Sequence, residues 1–498
     1  MTANKKALLG SARAIFWALF LMSLIFSSFP FFPPAIGGEA LVRPLAIYPL
    51  LILIALVTIP YLFTRRLPAT LISLLPFLIA VIASSAISLL LGIDTAQGVS
   101  LSSRLLRALV TLFLGVAIYF TVSIYPQSPE DMKTSLRWLY VGFSIALFWG
   151  SLQAFYVIRF QPRYFEFLGE IQRYISTRRL FDNRISGPTY EPNWFAQQIS
   201  FLLLPWLLAA ILSGQTVFRW RWRWVTIEWF LLLWSLAVLI FTFSRAGLAV
   251  MAAVIFLGLL FFRHARSGAR KAARTKRAVW GRRLVEAGII LMIVIGLVFA
   301  AGKDNTFFSR IWDYSPQTNN PTLFEYIRYL GFGARVMYSD TAYRIYDAYP
   351  LTGIGLGNYA FFFNDYLKIN NLALYPEVLR IVTPEKGVNT LITPKNLYMR
   401  LLAETGLIGM ATFVAFMLAI LGCAVYLRLS SEPEEKFWGT AGLLGIIAFS
   451  LSAMSYDSFA IPNMWVVFGL ITAAANLSRR TAIRKAESPL PAPAPSTG

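Results

Sequence analysis

Lys395-Asn-Leu-Tyr-Met-Arg-Leu-Leu-Ala-Glu-Thr-Gly-Leu-Ile-Gly409 carries a polar, turn-rich stretch back into an apolar span. The stretch that it closes, Gly302 to Pro394, is rich in aromatics and lies between two apolar runs. Outward from it, the chain is dominated by apolar runs of about 17–25 residues, the length that crosses a hydrocarbon core. They fall at 13–29, 41–63, 70–91, 105–122, 134–158, 193–213, 225–243, 246–262, 284–301, 405–427, 438–454 and 462–477. The fold expected is an all-α polytopic membrane protein with about 12 transmembrane helices and one large outer (periplasmic) segment. Its expected parts are 1–301 (nine spans with an Arg-rich outer loop at 159–192), 302–404 (the large outer loop), 405–477 (three spans) and 478–498 (a basic, then disordered tail). Lys5, Lys6 and Arg13 lead into a first span without a small-residue cleavage site, which reads as an uncleaved anchor.

Composition agrees with that reading. The chain has 498 residues, 57% hydrophobic and 14% charged, which excludes a soluble protein. Its net charge of +21 invites a nucleic-acid partner, but the distribution of that charge argues against one. With the N-terminus inside, the inner loops carry Arg65-Arg66, Arg219, Arg221, Arg223 and the acid-free run Arg263 to Arg283, and the tail adds Arg479, Arg480, Arg484 and Lys485. Gly302 to Pro394 balances eight basic residues with eight acidic ones. This is the positive-inside pattern, and it accounts for the excess without nucleic acid. The one cysteine, Cys423, falls in an apolar run, and the one histidine, His264, in a basic inner loop. That inventory offers no disulfide framework, no outer metal site and no outer histidine base.

Four constellations could carry chemistry. Loop 159–192 holds Arg159, Arg163, Arg173, Arg178, Arg179 and Arg184 and no lysine, where translocated loops usually avoid such charge. All-arginine usage suits bidentate capture of phosphate or carboxylate, or headgroup contact. Next, 225–262 would be about 57 Å long as one helix, too long for one crossing. It must break at Thr242-Phe243-Ser244-Arg245, which holds Arg245 at the outer surface, where a charge is expected to be functional. Third, Pro192-Asn193 starts a helix whose free N–H groups favour an anion, with Glu191 beside it as a base or as a partner for Arg184. Last, Gly353-Ile-Gly-Leu-Gly-Asn358 lacks the strand and helix of a nucleotide fold and reads as a tight turn. Tyr343, Arg344 and Asp347 stand about a helical turn upstream of it.

Together, the segment 395–409 and the Ser-Arg-Ala-Gly-Leu turn resemble the O-antigen ligase/polymerase superfamily of bacterial membrane glycosyltransferases. Its ligases carry His, then Asn, Ser or Gln, nine residues, Gly, two residues and Gly. Asn396, Gly406 and Gly409 fit that spacing, and Lys395 stands in the place of the histidine. The resemblance runs over roughly residues 186–425 and takes in Asn193, Ser244-Arg245, Arg344 and the Gly353–Asn358 turn. It implies a C-type glycosyltransferase-like fold and glycan transfer from an undecaprenyl diphosphate carrier on the outer face of the cytoplasmic membrane. Membrane lipids, a chain-length regulator and a flippase of the same pathway are the implied partners, with no nucleic acid, cofactor or metal. On this reading Arg245, Arg344 and Arg184 hold the diphosphate, each contact worth on the order of 4 kcal/mol before desolvation. Lys395, Glu191, Asp340 and Glu404 are the candidate catalytic groups, and Glu404 could instead pair with Arg400. Asn193, Tyr343, Asn396 and Arg400 are the candidate substrate contacts. Lys395 in the place of histidine shifts the expectation from ligase to polymerase. An anion or lipid-glycan transporter and a catalytically inactive scaffold are the rivals.

Overall fold

The computed structural model describes residues 3–32, 42–65, 67–93, 98–223, 225–262, 276–314, 322–369, 372–383 and 391–487. Arg66, His264, most of the basic run after Arg263, and residues 488–498 of the tail lie outside them.

Helix covers each of the twelve expected segments. The bundle helices are α1 (Ala3–Ser23), α2 (Ile47–Thr64), α3 (Thr70–Ser88), α4 (Leu101–Ile124) and α5 (Pro129–Ile158). After a short α6 (Pro162–Ile175) come α7 (Pro192–Ser213), α8 (Ile227–Phe241), α9 (Arg245–Phe262) and α10 (Lys276–Gly302). The segment expected to lie outside, called the outer segment below, contributes α11 (Leu323–Tyr329), α12 (Gly333–Ala348), α13 (Tyr359–Tyr366) and α14 (Pro376–Val382). The chain ends in α15 (Leu397–Leu429), α16 (Pro433–Ser452) and α17 (Asn463–Glu487). By length and composition, eight helices among the described residues can cross a membrane, and α8 and part of α1 are shorter apolar helices. On that criterion, eight of the twelve expected spans are matched among the described residues. Ser128 and Asp131 show why α5 starts where it does: they form a reciprocal capping box at its first turn.

Three boundaries depart from expectation. The helix after the outer segment starts at Leu397 rather than near 405, because the Asn396 side chain caps it by accepting N–H bonds from Tyr398 (3.0 Å) and Met399 (3.3 Å). The last helix continues through 478–487, which the sequence suggested was tail. A two-residue hairpin, Arg221–Trp222 against Val225–Thr226, interrupts the helical pattern between α7 and α8.

In the bundle, α15 packs on α3, α12, α16 and α17, while α17 lies along α4 and α7 lies against α16 and α9. In α7, 89% of the apolar window is buried, and in α10 only 6%, so α7 is the central helix and α10 the peripheral one. Apolar residues all round an exposed helix need lipid rather than water beside them. A smaller core of Tyr338, Ile345, Ile354, Tyr359, Phe363 and Val378 knits the outer segment together and rests on Ala403 of α15.

Candidate active site

Two of the four constellations meet around one phenyl ring. The Arg184 guanidinium lies 3.9 Å from the centroid of Phe307 and that of Arg245 lies 4.9 Å from the same ring. The local chain explains how both get there. Gln153 of α5 accepts N–H bonds from Ser186 (3.1 Å) and Gly187 (2.9 Å), and Ile185 N–H donates to Phe241 O at 3.1 Å, which pins the chain that follows Arg184. Asn183 joins the outer segment through Asn305, whose side chain donates to its carbonyl at 2.7 Å. On the other side, the long apolar run breaks after Phe241. Ser244 caps α9, with its Oγ accepting from Gly247 N–H at 3.2 Å, so Arg245 is the first helical residue. Gly247 has no room for a side chain, since a Cβ there would collide with Ala196 of α7. The Ser-Arg-Ala-Gly sequence therefore sets two helix N-termini side by side, a favourable setting for an anion.

Arg245 donates to Leu330 O and, at 2.8 Å, to Phe307 O, so it also ties down the outer segment. The Nε atoms of Arg184 and Arg245 are buried without a hydrogen-bond partner among the described residues. Burial holds the Arg184 guanidinium below its ordinary pKa; Glu191 opposes that shift, and Arg245, Asp182 and Arg310 act on it as well. Arg310 was not singled out in the sequence. It faces both arginines electrostatically and is exposed, giving a third cation at the mouth of the site. Glu191 and Asn193 are half-buried at the start of α7.

A second cluster surrounds the start of α15. The Gly353–Asn358 turn docks backbone to backbone on the helix: Ile354 and Gly355 N–H donate to Ala403 O (3.1 Å) and Glu404 O (2.8 Å). Gly353, Gly355 and Gly357 all have positive φ, and a Cβ on Gly353 would come within 2.6 Å of the α15 backbone. Gly406 (φ 63°, ψ −167°) kinks α15 where Leu351 and Thr352 press on it. The glycine spacing of the motif is thus the seat of this turn. Arg104 of α4 closes it from the far side by donating to Gly357 O at 2.8 Å.

Within this cluster Arg400 and Glu404 form a buried ion pair at 2.8 Å, and Arg400 also donates to Asp457 O at 2.6 Å. Glu404 is thereby a partner for Arg400 in a closed interior, and Arg400 is no open substrate contact. Asn396 is a helix cap. Lys395 takes positive φ, 56°, and its N–H donates to Asp457 Oδ2 at 2.8 Å. Its half-buried side chain forms no hydrogen bond or ion pair among the described residues. Asp457 gave no signal in the sequence, because its role depends on a contact from the loop between α16 and α17. That loop also bridges the two clusters. Gln197 of α7 donates to Ser455 Oγ at 2.9 Å, and Arg335 donates to Ser455 O at 2.9 Å.

Asp340, Tyr343 and Arg344 lie on the open side of α12. Arg344 pairs with Asp340 at 2.8 Å, both side chains more than a third exposed, and Tyr343 is exposed. No described contact brings them to the arginine pair.

Arg184 and Arg245, half-buried around Phe307, and Arg310 beside them concentrate positive charge at one end of a helical bundle, an arrangement whose chemistry suits an anion. Residues 230–414 match the family model described as O-antigen ligase. That match covers a little over a third of the chain and takes in Arg245, Phe307, Arg310 and Lys395; it supports the O-antigen ligase/polymerase superfamily and a related glycan-handling role, and with the apolar helices it points to a bacterial membrane protein. No curated protein matches the chain.

Proposed function

We propose that the protein joins undecaprenyl-diphosphate-linked oligosaccharide repeats into an O-antigen or exopolysaccharide chain on the outer face of the cytoplasmic membrane. The observation that carries this reading is the pair of guanidiniums over Phe307, half-buried and unmatched by any ion pair among the described residues. The leaving group of the transfer is a lipid diphosphate, whose charge grows as the anomeric C–O bond breaks. Arg184 and Arg245, with Arg310 at the rim, supply fixed positive charge to it, the role a metal ion would otherwise fill. The incoming sugar hydroxyl forms the new C–O bond and gives its proton to a carboxylate or to solvent. Glu191 is the candidate base that this geometry favours, since Glu404 and Asp340 are held by arginines. Lys395, at the start of α15 in the second cluster, is assigned a cation role on the glycan side of the reaction.

The second reading is a ligase that moves a finished glycan to a lipid A core or another acceptor. The description of the matching family favours it, while lysine in the place of histidine favours the polymerase. A transporter of an anion or lipid-linked glycan is the third reading. Purified protein in lipid, given only the undecaprenyl-diphosphate-linked repeat and no metal, tests all three. A ladder spaced by one repeat is expected. Transfer only after a lipid A core is added would make it a ligase, and no transfer in either case would overturn the enzyme reading.

A further inference from the structure

At the other end of the bundle lies an open cleft of about 320 Å³, lined by Arg13 of α1, Tyr61 and Arg65 at the end of α2, and Gln127 and Asp131 at the start of α5. Arg480 of α17 adjoins it, bonded to two of its lining residues. Gln127 Oε1 accepts from Arg65 at 2.9 Å and from Arg480 at 3.2 Å, and Arg480 also approaches the Tyr61 hydroxyl at 3.5 Å. Two cations thus share one neutral amide oxygen. The Nε of the third, Arg13, is buried without a hydrogen-bond partner among the described residues. The carboxylate in the lining, Asp131, is turned to its own backbone: Oδ2 accepts the N–H groups of Gln127 (2.9 Å) and Ser128 (3.0 Å) in the capping box. Three guanidiniums from three helices therefore converge with one carboxylate, Asp131, in the lining, and no ion pair among the described residues joins it to them.

We propose that this cleft holds the phosphate of an anionic phospholipid headgroup. A phosphodiester offers several oxygens to planar donors that reach it from different sides, which an amide oxygen does not. Lipid rather than free phosphate is indicated by the rim, where Leu62 and Phe63 stand 50% and 86% exposed on α2 next to Arg65. Acyl chains would cover that apolar surface while the headgroup enters the cleft. The site is independent of the chemistry proposed at the opposite end.

Native mass spectrometry of the full-length protein, with phosphatidylglycerol or phosphatidylcholine added to the detergent, tests it. At least tenfold preferential retention of phosphatidylglycerol is expected. Arg65→Gln with Arg480→Gln should reduce retention to the phosphatidylcholine level, and Arg65→Lys with Arg480→Lys should keep most of it. If the paired glutamine variant does not fold, Arg13→Gln alone should show a partial loss. Equal retention of the two lipids, or retention unaffected by the glutamine variants, would overturn the site. Displacement of phosphatidylglycerol by millimolar inorganic phosphate would reassign it from lipid to free phosphate and overturn the headgroup proposal.

Discussion

Arg184 and Arg245 share a ring but hold different posts, and that separates their mutants. Arg184 is fixed by its neighbours and donates no hydrogen bond to the protein among the described residues, whereas Arg245 clamps Phe307 and Leu330. Arg184→Gln is therefore expected to lower turnover roughly 100- to 1,000-fold, the usual cost of one oxyanion donor, with an unchanged melting temperature. Arg245→Gln should lose as much activity and also melt earlier. Donor binding and thermal denaturation, measured on both, check this; full activity in either variant would remove it from the diphosphate site. For Lys395, rescue of Lys395→Met by arginine would mean a charge role, while failure of both would point to proton transfer or geometry. The sequence could show Arg245 because a break was forced by helix length. It could not show Phe307, Arg310 or Asp457, since an aromatic, an arginine and an aspartate in loops look ordinary until their partners are known.

At the scale of elements, the glycines of the 395–409 motif make a joint. Gly406 occupies a backbone region open essentially to glycine alone, so Gly406→Ala should cost roughly 1–3 kcal/mol in strain, with the collision against Leu351 added. A lower melting temperature with reduced activity is expected; wild-type stability would refute the role of the kink. The nearby Arg400–Glu404 pair is a second structural device. Breaking it by Glu404→Gln should destabilise by up to about 3–5 kcal/mol, because Arg400 is left buried with only Asp457 nearby to offset its charge, while the paired Arg400→Met, Glu404→Leu change should be milder. Loss of turnover in Glu404→Gln with no loss of stability would instead make Glu404 a catalytic base. The sequence showed that a turn and a helix start were present here, and it showed the motif spacing. It did not show that the two dock on each other with Ser84 and Arg104, because those residues lie far away in the chain and pair only in the folded bundle.

Across the whole molecule, the connections sort themselves into two groups. Those expected outside touch one another: Ser28 with Thr177, Asn183 with Thr306, Arg104 with Gly357, Lys395 with Asp457. Those expected inside do likewise: Lys133 pairs with Glu434 at 3.0 Å, and Arg480 meets Gln127. This sorting is what alternate crossings by α1 to α5, α7 to α10 and α15 to α17 would produce, although only eight of those twelve helices have the length and hydropathy that mark a span on its own. Burial explains how short or polar helices can still cross: α8 and α16 pack against long neighbours and need less lipid contact. The sorting gives two ends, and the positive-inside bias of the loops predicts which of them faces the cytoplasm. Cysteine labelling tests that assignment cleanly, since the native Cys423 is buried and can be replaced by serine first. Asp304→Cys, in the exposed turn after α10, should react with a membrane-impermeant maleimide in intact spheroplasts. Ser431→Cys, exposed between α15 and α16, should react only after lysis. The reverse pattern would put the arginine pocket on the cytoplasmic side, where undecaprenyl-linked repeats are not polymerised in the proposed scheme. Labelling of both in intact cells would mean that the two ends do not face opposite sides, and the crossings inferred from the bundle would have to be redrawn.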